Sequence, residues 1–408
     1  MSIGFDPPED VTREVLKVRE LVRGELEALE RTVDAIPDPQ QAYRSPAFRK
    51  ALQLGYEMGI PRLTIPAKLG GRGFDQVAYF MISEELSAGA PGLGSHLQSG
   101  VLGPNFIHIF GLRDKHPVYA DYFDAFMADT TGVHASAWAA TEPAVGSDMF
   151  SFGDPAISFG TVARQVDADA ASPILLNGVK SRFVSNGHLA DMLLVMAGAA
   201  GGGSGIAGSG AYLVPADTPG VVQGPPADKL GMRCLNQASI EFHDVEIPPV
   251  MRVIEPGPRY ERTFKSIVAF GNTAVGMRTL GIARRAYEMA LDYAKSRIQG
   301  GTPIVAHQLI RDKLFDAFAS IEAARSLLLK SAWLIDTGRR DFQISVAARV
   351  NACRMAARII PEMVQVMGGY GILRENGIEK LYRDVKMLAI ADGTVERVML
   401  YATESWQA

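Results

Sequence analysis

Between residues 11 and about 33 the pattern VTREVLKVRELVRGELEALERTV returns Val or Leu every three or four positions among Glu and Arg, the period of a helix with one apolar stripe. Similar spacing predicts helices over 45–57, 74–89 and 116–128, with IPAKLGGRG and SAGAPGLG read as turns between them. The period then changes. From about 131 to 250, short β-favouring runs (ILLNGVKSRFVSN, DMLLVMAG, AYLVPA, ASIEFHDVEI) alternate with Gly, Pro and Asn clusters, which predicts a β unit. Inside it, GAAGGGSGIAGSG (198–210) reads as a mobile hairpin loop, since it lacks the GxxxxGK[ST] arrangement of a phosphate cradle. From about 264 onward, MRTLGIARRAYEMALDYAKSRI, HQLIRDKLFDAFASIEAARSLLLKSAWLIDTG and ISVAARVNACRMAARIIPEMVQVMGG carry helical periodicity with Gly near their ends, which predicts a bundle of long helices. No fixed-period repeat occurs, so a solenoid is disfavoured. The expected division is 1–132 helical, 133–250 β and 251–408 helical.

Composition narrows the class. A chain of 408 residues exceeds one hydrophobic core, and 47% hydrophobic with 21% charged residues is ordinary globular usage. A formal charge of -4 and the lack of a basic run make nucleic acid an unexpected partner. No apolar run reaches membrane-spanning length, and the first residues are charged where a signal peptide needs an apolar core. Cys234 and Cys353 are far apart and fit no ligand spacing, so neither a disulfide framework nor a metal site is expected, and a cytoplasmic setting is the default.

Several segments carry candidate chemistry. TEPAVGSD, with Thr141 and Ser147, brings amides and hydroxyls together in a nest suited to an anionic ligand, although a Gly- and Ser-rich hairpin turn would look the same. Phe183 and Ser185 lie two apart on a predicted strand and so face one side, an aromatic wall with a hydroxyl, or simply a half-buried strand. Arg297 follows a helix and precedes two glycines, with Gln308 close behind; its planar fork suits phosphate oxygens, and its place at a helix C-terminus also suits the helix dipole. Gln365 with Gly368 and Gly369 makes a helix end where backbone can approach a ligand, or an ordinary left-handed stop. Asp392 stands beside Gly393 and Thr394 in an apolar run; buried there, it would have its charged form disfavoured and be poised as a base, while a lone Asp-Gly commonly marks a turn.

The order and spacing of these segments resemble the acyl-CoA dehydrogenase family over nearly the whole chain: TEP-x-x-GSD at 141–148, NG-x-K with an aromatic and a hydroxyl at 177–185, Arg297 with Gly301 and His307-Gln308, Q-x-x-GG-x-G at 365–371, and YRD at 382–384 before Asp392-Gly393-Thr394. The resemblance implies an α+β multidomain fold: an N-terminal α-helical domain, a central β-barrel-like domain and a C-terminal four-helix bundle. It implies FAD, with Trp138, Thr141, Ser147, Phe183 and Ser185 lining the flavin, Thr394 beside it, and Arg297, Gln308, Gln365, Gly368 and Gly369 reaching the adenosine diphosphate part, partly across the interface of a homotetramer or homodimer. By the same analogy Asp392 removes the α-proton of an acyl-CoA thioester whose oxygen its backbone N–H helps polarise, and Ser147, Ala391 and Gly393 touch the substrate. Electrons would pass to an electron-transfer flavoprotein.

The chain departs from the family pattern in ways that bear on its substrate. Asp392 replaces the usual Glu, about 1.5 Å less reach, and a misplacement near 1 Å can cost about a hundredfold in rate. Relatives with the base on the helix beginning near Phe264 have their counterpart here at about Ser266, which carries no carboxylate. Ala391 and Gly300 stand where many members have Tyr and Phe, which favours a branched, alicyclic or otherwise bulky acyl group. The NG-x-K strand is one residue longer than usual before its aromatic. Two alternatives remain: a nitroalkane-type flavin oxidase of the same fold, and a non-catalytic CoA-ester-binding partner subunit.

Overall fold

The computed structural model describes residues 7–152, 154–200, 205–339 and 341–406. The first apolar stripe forms one rod, Glu9–Leu21 continuing through a π turn at Val22–Leu26 into Glu27–Asp34. Val11, Val15, Val18, Val22, Leu26 and Val33 are its buried face, and the wider turn keeps that face in phase. Glu30 occupies a place in the same stripe and is fully buried.

Capping fixes the next helices. The hydroxyl of Ser45 accepts from the Phe48 amide at 3.2 Å to start Pro46–Glu57, and Asp75 accepts from Ala78 at 2.8 Å to start Gln76–Gly89. His116 precedes Pro117–Ala128. The stretch SAGAPGLG is not a turn. Its first half ends Gln76–Gly89, and Pro91 opens another helix, Pro91–Ser99. Its glycines allow close packing: a Cβ at Gly92 would lie 2.8 Å from that of Cys234, and one at Gly94 3.1 Å from that of Leu86. Pro39–Arg44 and Leu102–Ile109 complete the unit.

The central unit is a mixed sheet ordered Val221–Gln223, Gln237–Ile247, Ile174–Ser185, Val162–Gln165, Met192–Ala199, Ser209–Pro215, Arg252–Ile254, with Ser136–Ala139 parallel to Met192–Ala199. Its two end strands do not pair among the described residues, so the sheet stays open rather than closing into a barrel. The loop expected over 198–210 is shorter than its composition suggests. Gly198 and Ala199 end one strand, Ser209 and Gly210 begin the next, and Ile206 between them is fully buried; residues 201–204 lie outside the described residues.

The C-terminal unit packs Pro258–Ser296, Gln308–Asp336 and Phe342–Met367 against one another, with Ile378–Leu388 and Val395–Thr403 alongside. Among the described residues no helix is long and apolar enough to cross a membrane.

The three units meet at one buried ionic cluster. Lys380 donates to Glu30 at 2.8 Å and to Asp384 at 2.6 Å; Glu30 also accepts from the amides of Gly92 and Leu93 at 2.9 and 2.8 Å, and Asp384 from the Met232 amide at 2.5 Å. Glu30 thus sits at the N-terminus of Pro91–Ser99, where the helix dipole favours an anion.

On that same helix His96 is buried against the Phe48 ring, centroids 5.4 Å apart, and its Nδ1 has no partner. Burial pushes its pKa down to about 4. Below an unfolded value near 6.5, the unfolded chain takes up a proton that the folded chain refuses, so stability rises with pH through that window. Lowering pH from 7 to 5 should remove about 2 kcal/mol through this group. Urea unfolding at the two pH values should show that His96→Leu shrinks the difference by that amount; an unchanged difference would put the acid sensitivity elsewhere.

Candidate active site

The loop that carries Asp392 is shaped by two successive left-handed residues. Asp392 has φ 52 and Gly393 φ 84, a conformation a non-glycine residue adopts only at a cost. At Gly393 no side chain is possible, since a Cβ would overlap the Phe150 ring. Thr394 then caps Val395–Thr403, its hydroxyl accepting from the Arg397 amide at 3.3 Å, while its own amide donates to Ser147 Oγ at 3.0 Å. The flavin contact expected of Thr394 therefore competes with a capping role. The same segment, Ser147–Phe150, seats the Asp392 loop from the sheet side.

Asp392 is exposed, not buried as its apolar run suggests. The neighbours Leu388, Val395 and Val398 do go inward, and the left-handed turn carries the aspartate out from among them. Its carboxylate faces Pro258–Ser296 at Gly271, where a Cβ would lie 3.8 Å from Oδ2. Gly271, rather than Ser266, is thus the position of that helix opposite Asp392. Ala391 is half-buried beside it. The amides of Asp392 and Gly393 make no hydrogen bond among the described residues, so both are available to a ligand.

An aromatic chain links the loop to the sheet, starting at Phe150, whose ring a Cβ at Gly393 would meet. Trp138, on Ser136–Ala139, packs against Phe264 with centroids 5.8 Å apart, and Phe264 packs against Phe150 at 6.0 Å. The indole Nε1 of Trp138 is buried without a partner. The hydroxyls of Thr141 and Ser181 are 2.8 Å apart. Phe183 is 67% exposed, a large aromatic face with nothing covering it, and Ser185 Oγ accepts from Gln237 at 3.2 Å. The strand alternation breaks just before them: Arg182 and Phe183 are both exposed, and pairing with Gln237–Ile247 shifts register between Lys180 and Val184. The strand bulges there, with Ser181, Arg182 and Phe183 standing opposite Ser239 alone.

The nest expected at 141–148 is largely used up internally. Glu142 and Val145 exchange backbone hydrogen bonds, and the Gly146 amide donates to Asp148 at 2.7 Å. The important residue there is Glu142, which the sequence does not mark out. Its carboxylate accepts from Lys180 at 2.6 Å and from the amides of Gly160 and Thr161 at 2.5 and 3.0 Å. Lys180 spends its other donors on the carbonyls of Ala140 and Met196, at 3.2 and 2.6 Å. Burial pulls its pKa down to about 8, against the opposing pull of Glu142. The buried pair ties the TEP segment to the NG-x-K strand. A Glu and a Lys 38 positions apart gave no local signal of it.

The remaining candidates gather elsewhere. Arg297 ends Pro258–Ser296, and its guanidinium lies 5.8 Å from the centre of the Tyr370 ring, next to Gly368 and Gly369. Gln308 opens Gln308–Asp336 after a turn in which His307 Nε2 lies 3.0 Å from the Gln299 carbonyl. Arg297, Gln308, Gln365, Gly368 and Gly369 are all exposed. From Gly271 to Arg297 the helix runs roughly 39 Å at 1.5 Å per residue. One chain therefore holds the two halves of the expected site far apart along a rod. Gly300 belongs to the far end, in the turn against His307, and does not belong with Asp392.

The chain matches three family models: acyl-CoA dehydrogenase N-terminal domain over residues 12–115, middle domain over 137–245 and C-terminal domain over 262–404. It is 31% identical over 394 residues to the probable acyl-CoA dehydrogenase YngJ of Bacillus subtilis, covering 95% of this chain and 96% of that one. It is 32% identical over 344 residues to the human mitochondrial short-chain specific acyl-CoA dehydrogenase, covering 83% and 78%. The structure of butyryl-CoA dehydrogenase from Megasphaera elsdenii superposes over 100% of both chains with a TM-score of 0.86 at 26% identity.

Removing one member of the buried Glu142–Lys180 pair leaves an uncompensated charge, a loss of about 3–5 kcal/mol. Lys180→Met should lower stability by that amount in chemical denaturation. The double variant Lys180→Met with Glu142→Gln should recover part of it. A single variant as stable as the parent would show the pair to be dispensable.

Proposed function

We propose that this chain, which belongs to the acyl-CoA dehydrogenase family, oxidises the Cα–Cβ bond of an acyl-CoA thioester with Asp392 as the base. The observation that carries the reading is the Asp392 loop itself. It presents a carboxylate with an unpaired backbone N–H on the same residue, held in a left-handed turn opposite the glycine at 271.

FAD fits the residues that the chain presents at the two places. The uncovered face of Phe183 and the unpaired Trp138 Nε1 suit a flat ring system with acceptor atoms, and the exposed Arg297 fork near Gly368 and Gly369 suits a diphosphate. Bound FAD would accept the β-hydrogen as hydride while the α-proton goes to Asp392, leaving a Cα=Cβ bond. The chain's own contribution is to bind the thioester against the loop, donate the Asp392 N–H to its oxygen and hold the carboxylate at Cα. An α-proton is too weakly acidic for a carboxylate unless that oxygen is polarised. The helix length between Gly271 and Arg297 supports an assembly in which Arg297, Gln308, Gln365, Gly368 and Gly369 serve a flavin whose ring lies in another copy, so we assign a homodimer or homotetramer. An electron-transfer flavoprotein is the proposed acceptor.

The substrate reading rests on the space beside Asp392. An aspartate reaches less far than a glutamate, so Cα must approach the loop more closely, and the bare Gly271 face permits it. Ala391, the residue before it, has a side chain too small to take up much space. An acyl group that is branched, alicyclic or otherwise bulky near Cα would use both.

Asp392→Asn keeps the backbone N–H and loses the base. It should retain yellow FAD and bind substrate while turnover with an artificial acceptor falls at least a thousandfold; an active variant would remove the assignment. In a thioester screen, isobutyryl-, 2-methylbutyryl- or cyclohexanecarbonyl-CoA should exceed octanoyl-CoA by tenfold or more in kcat/KM. Oxidation of straight chains alone would refute the branched reading. Slow reoxidation of the reduced protein by oxygen is expected of a dehydrogenase, and fast reoxidation would favour the oxidase.

A further inference from the structure

We infer that Arg349 is a positioning residue that aims and polarises the Asp392 N–H. Arg349, on Phe342–Met367, is fully buried, yet among the described residues it has no carboxylate partner. Its two terminal nitrogens are spent mostly on backbone, while Nε is buried without a partner among the described residues. Nη2 donates to the carbonyls of Ala391, of Gly393 at 2.6 Å and of Leu388 at 3.4 Å, while Nη1 donates to the Asp392 carbonyl at 3.2 Å and to Asn272 Oδ1 at 3.0 Å.

Peptide geometry turns this clamp into a directional device. In a trans peptide the C=O of one residue and the N–H of the next point in opposite directions. With the Ala391 and Asp392 carbonyls drawn inward to Arg349, the amides of Asp392 and Gly393 must face away from it, and these are the two amides left without acceptors. The Gly393 carbonyl is drawn in likewise, and the Thr394 amide faces out to Ser147 Oγ. The clamp also accounts for the left-handed Asp392: several consecutive carbonyls converge on one group only if the backbone curls around it. A buried cation on a carbonyl polarises the whole peptide unit and strengthens the N–H at its other end as a donor. Arginine suits the task because its planar fork offers several donors at once and keeps its charge. Asn272 steadies the guanidinium from Pro258–Ser296, one residue beyond Gly271.

The inference rests on the reading of Asp392 as base and oxyanion donor, so the test separates the two. The holoenzyme and its Arg349→Met, Arg349→Lys and Asp392→Asn variants are compared by kcat, by KM and by the infrared carbonyl stretch of bound isobutyryl-CoA labelled with 13C at the thioester carbon. Arg349→Met should lose about a hundredfold in kcat with KM within threefold, as expected for loss of an oxyanion donor. Its carbonyl stretch should return towards that of free thioester in water. Arg349→Lys should recover at least tenfold of the kcat and part of the shift. Asp392→Asn should lose turnover but keep the shifted stretch. An active Asp392→Asn overturns the base reading. An inactive Asp392→Asn beside an Arg349→Met that keeps the shifted stretch overturns the role of Arg349 alone. If Arg349→Met fails to fold, Arg349→Lys decides: a stretch identical to the parent's combined with a hundredfold loss of kcat would refute polarisation through the clamp.

Discussion

The buried ammonium of Lys380 is the constraint on which the relative placement of the three units depends. It joins Glu30 of the N-terminal rod to Asp384 of its own helix, and Asp384 in turn holds the Met232 amide beside the sheet. A buried ion pair adds little net stability over an apolar contact of the same shape, because desolvation offsets the Coulombic gain. What it adds here is geometry. An apolar contact can slide, whereas Lys380 has its two carboxylates in one arrangement, and each carboxylate is further committed to backbone amides. The close fit agrees: a Cβ at Gly92 would approach Glu30 Oε1 to 2.9 Å.

Asp384 lies near the end of the helix that leads into the Asp392 loop, so this cluster sets where that loop begins. Arg349 then sets how the loop curls, and Phe150 and Ser147 set how it meets the sheet. The sheet side is itself fixed by Lys180 between the TEP and NG-x-K segments. Three buried cations thus divide the work of placing one exposed carboxylate. Lys380 and Lys180 are matched to carboxylates, and Arg349 is matched only to carbonyl dipoles, so its charge is the least neutralised of the three.

Much of this architecture is legible in the sequence, and what is not has a physical reason. Apolar periodicity marks the long helices and strands because burying a stripe or a face is what forms them. It fails at SAGAPGLG because small residues serve close helix packing as well as they serve turns. It cannot find Glu30, Lys380 or Arg349: a polar residue in a helix usually faces solvent, and only contacts far away in sequence reveal the exception. The candidate site was legible as a set of segments but not as a geometry. Asp392 was expected to be buried, and a left-handed φ, invisible in composition, turns it outward. Gly300 and Ala391 look alike in sequence as lost bulk, while the hairpin puts Gly300 with Arg297; the space opposite Asp392 comes from Gly271, a glycine within a helix that carries no local signal of its neighbour.

The length of Pro258–Ser296 has a thermodynamic consequence under the proposed assembly. A rigid helix separates the residues beside Asp392 from those around Arg297 by roughly 39 Å, so neither end alone presents a full set of contacts to the cofactor. In that assembly each flavin would bind between copies, and cofactor binding and association would be linked: whatever stabilises the assembly would tighten the cofactor, and the cofactor would in turn stabilise the assembly. The exposed Phe183 on one surface and the exposed Arg297, Gln308 and Gln365 on another are what such linkage requires, since both must be open in the separate chain to be shared in the assembled one. The Asp392 loop needs no such completion. Its amides are aimed and its turn is closed within one chain, so under the proposed function the reacting geometry would be built by folding, and association would supply the cofactor that uses it.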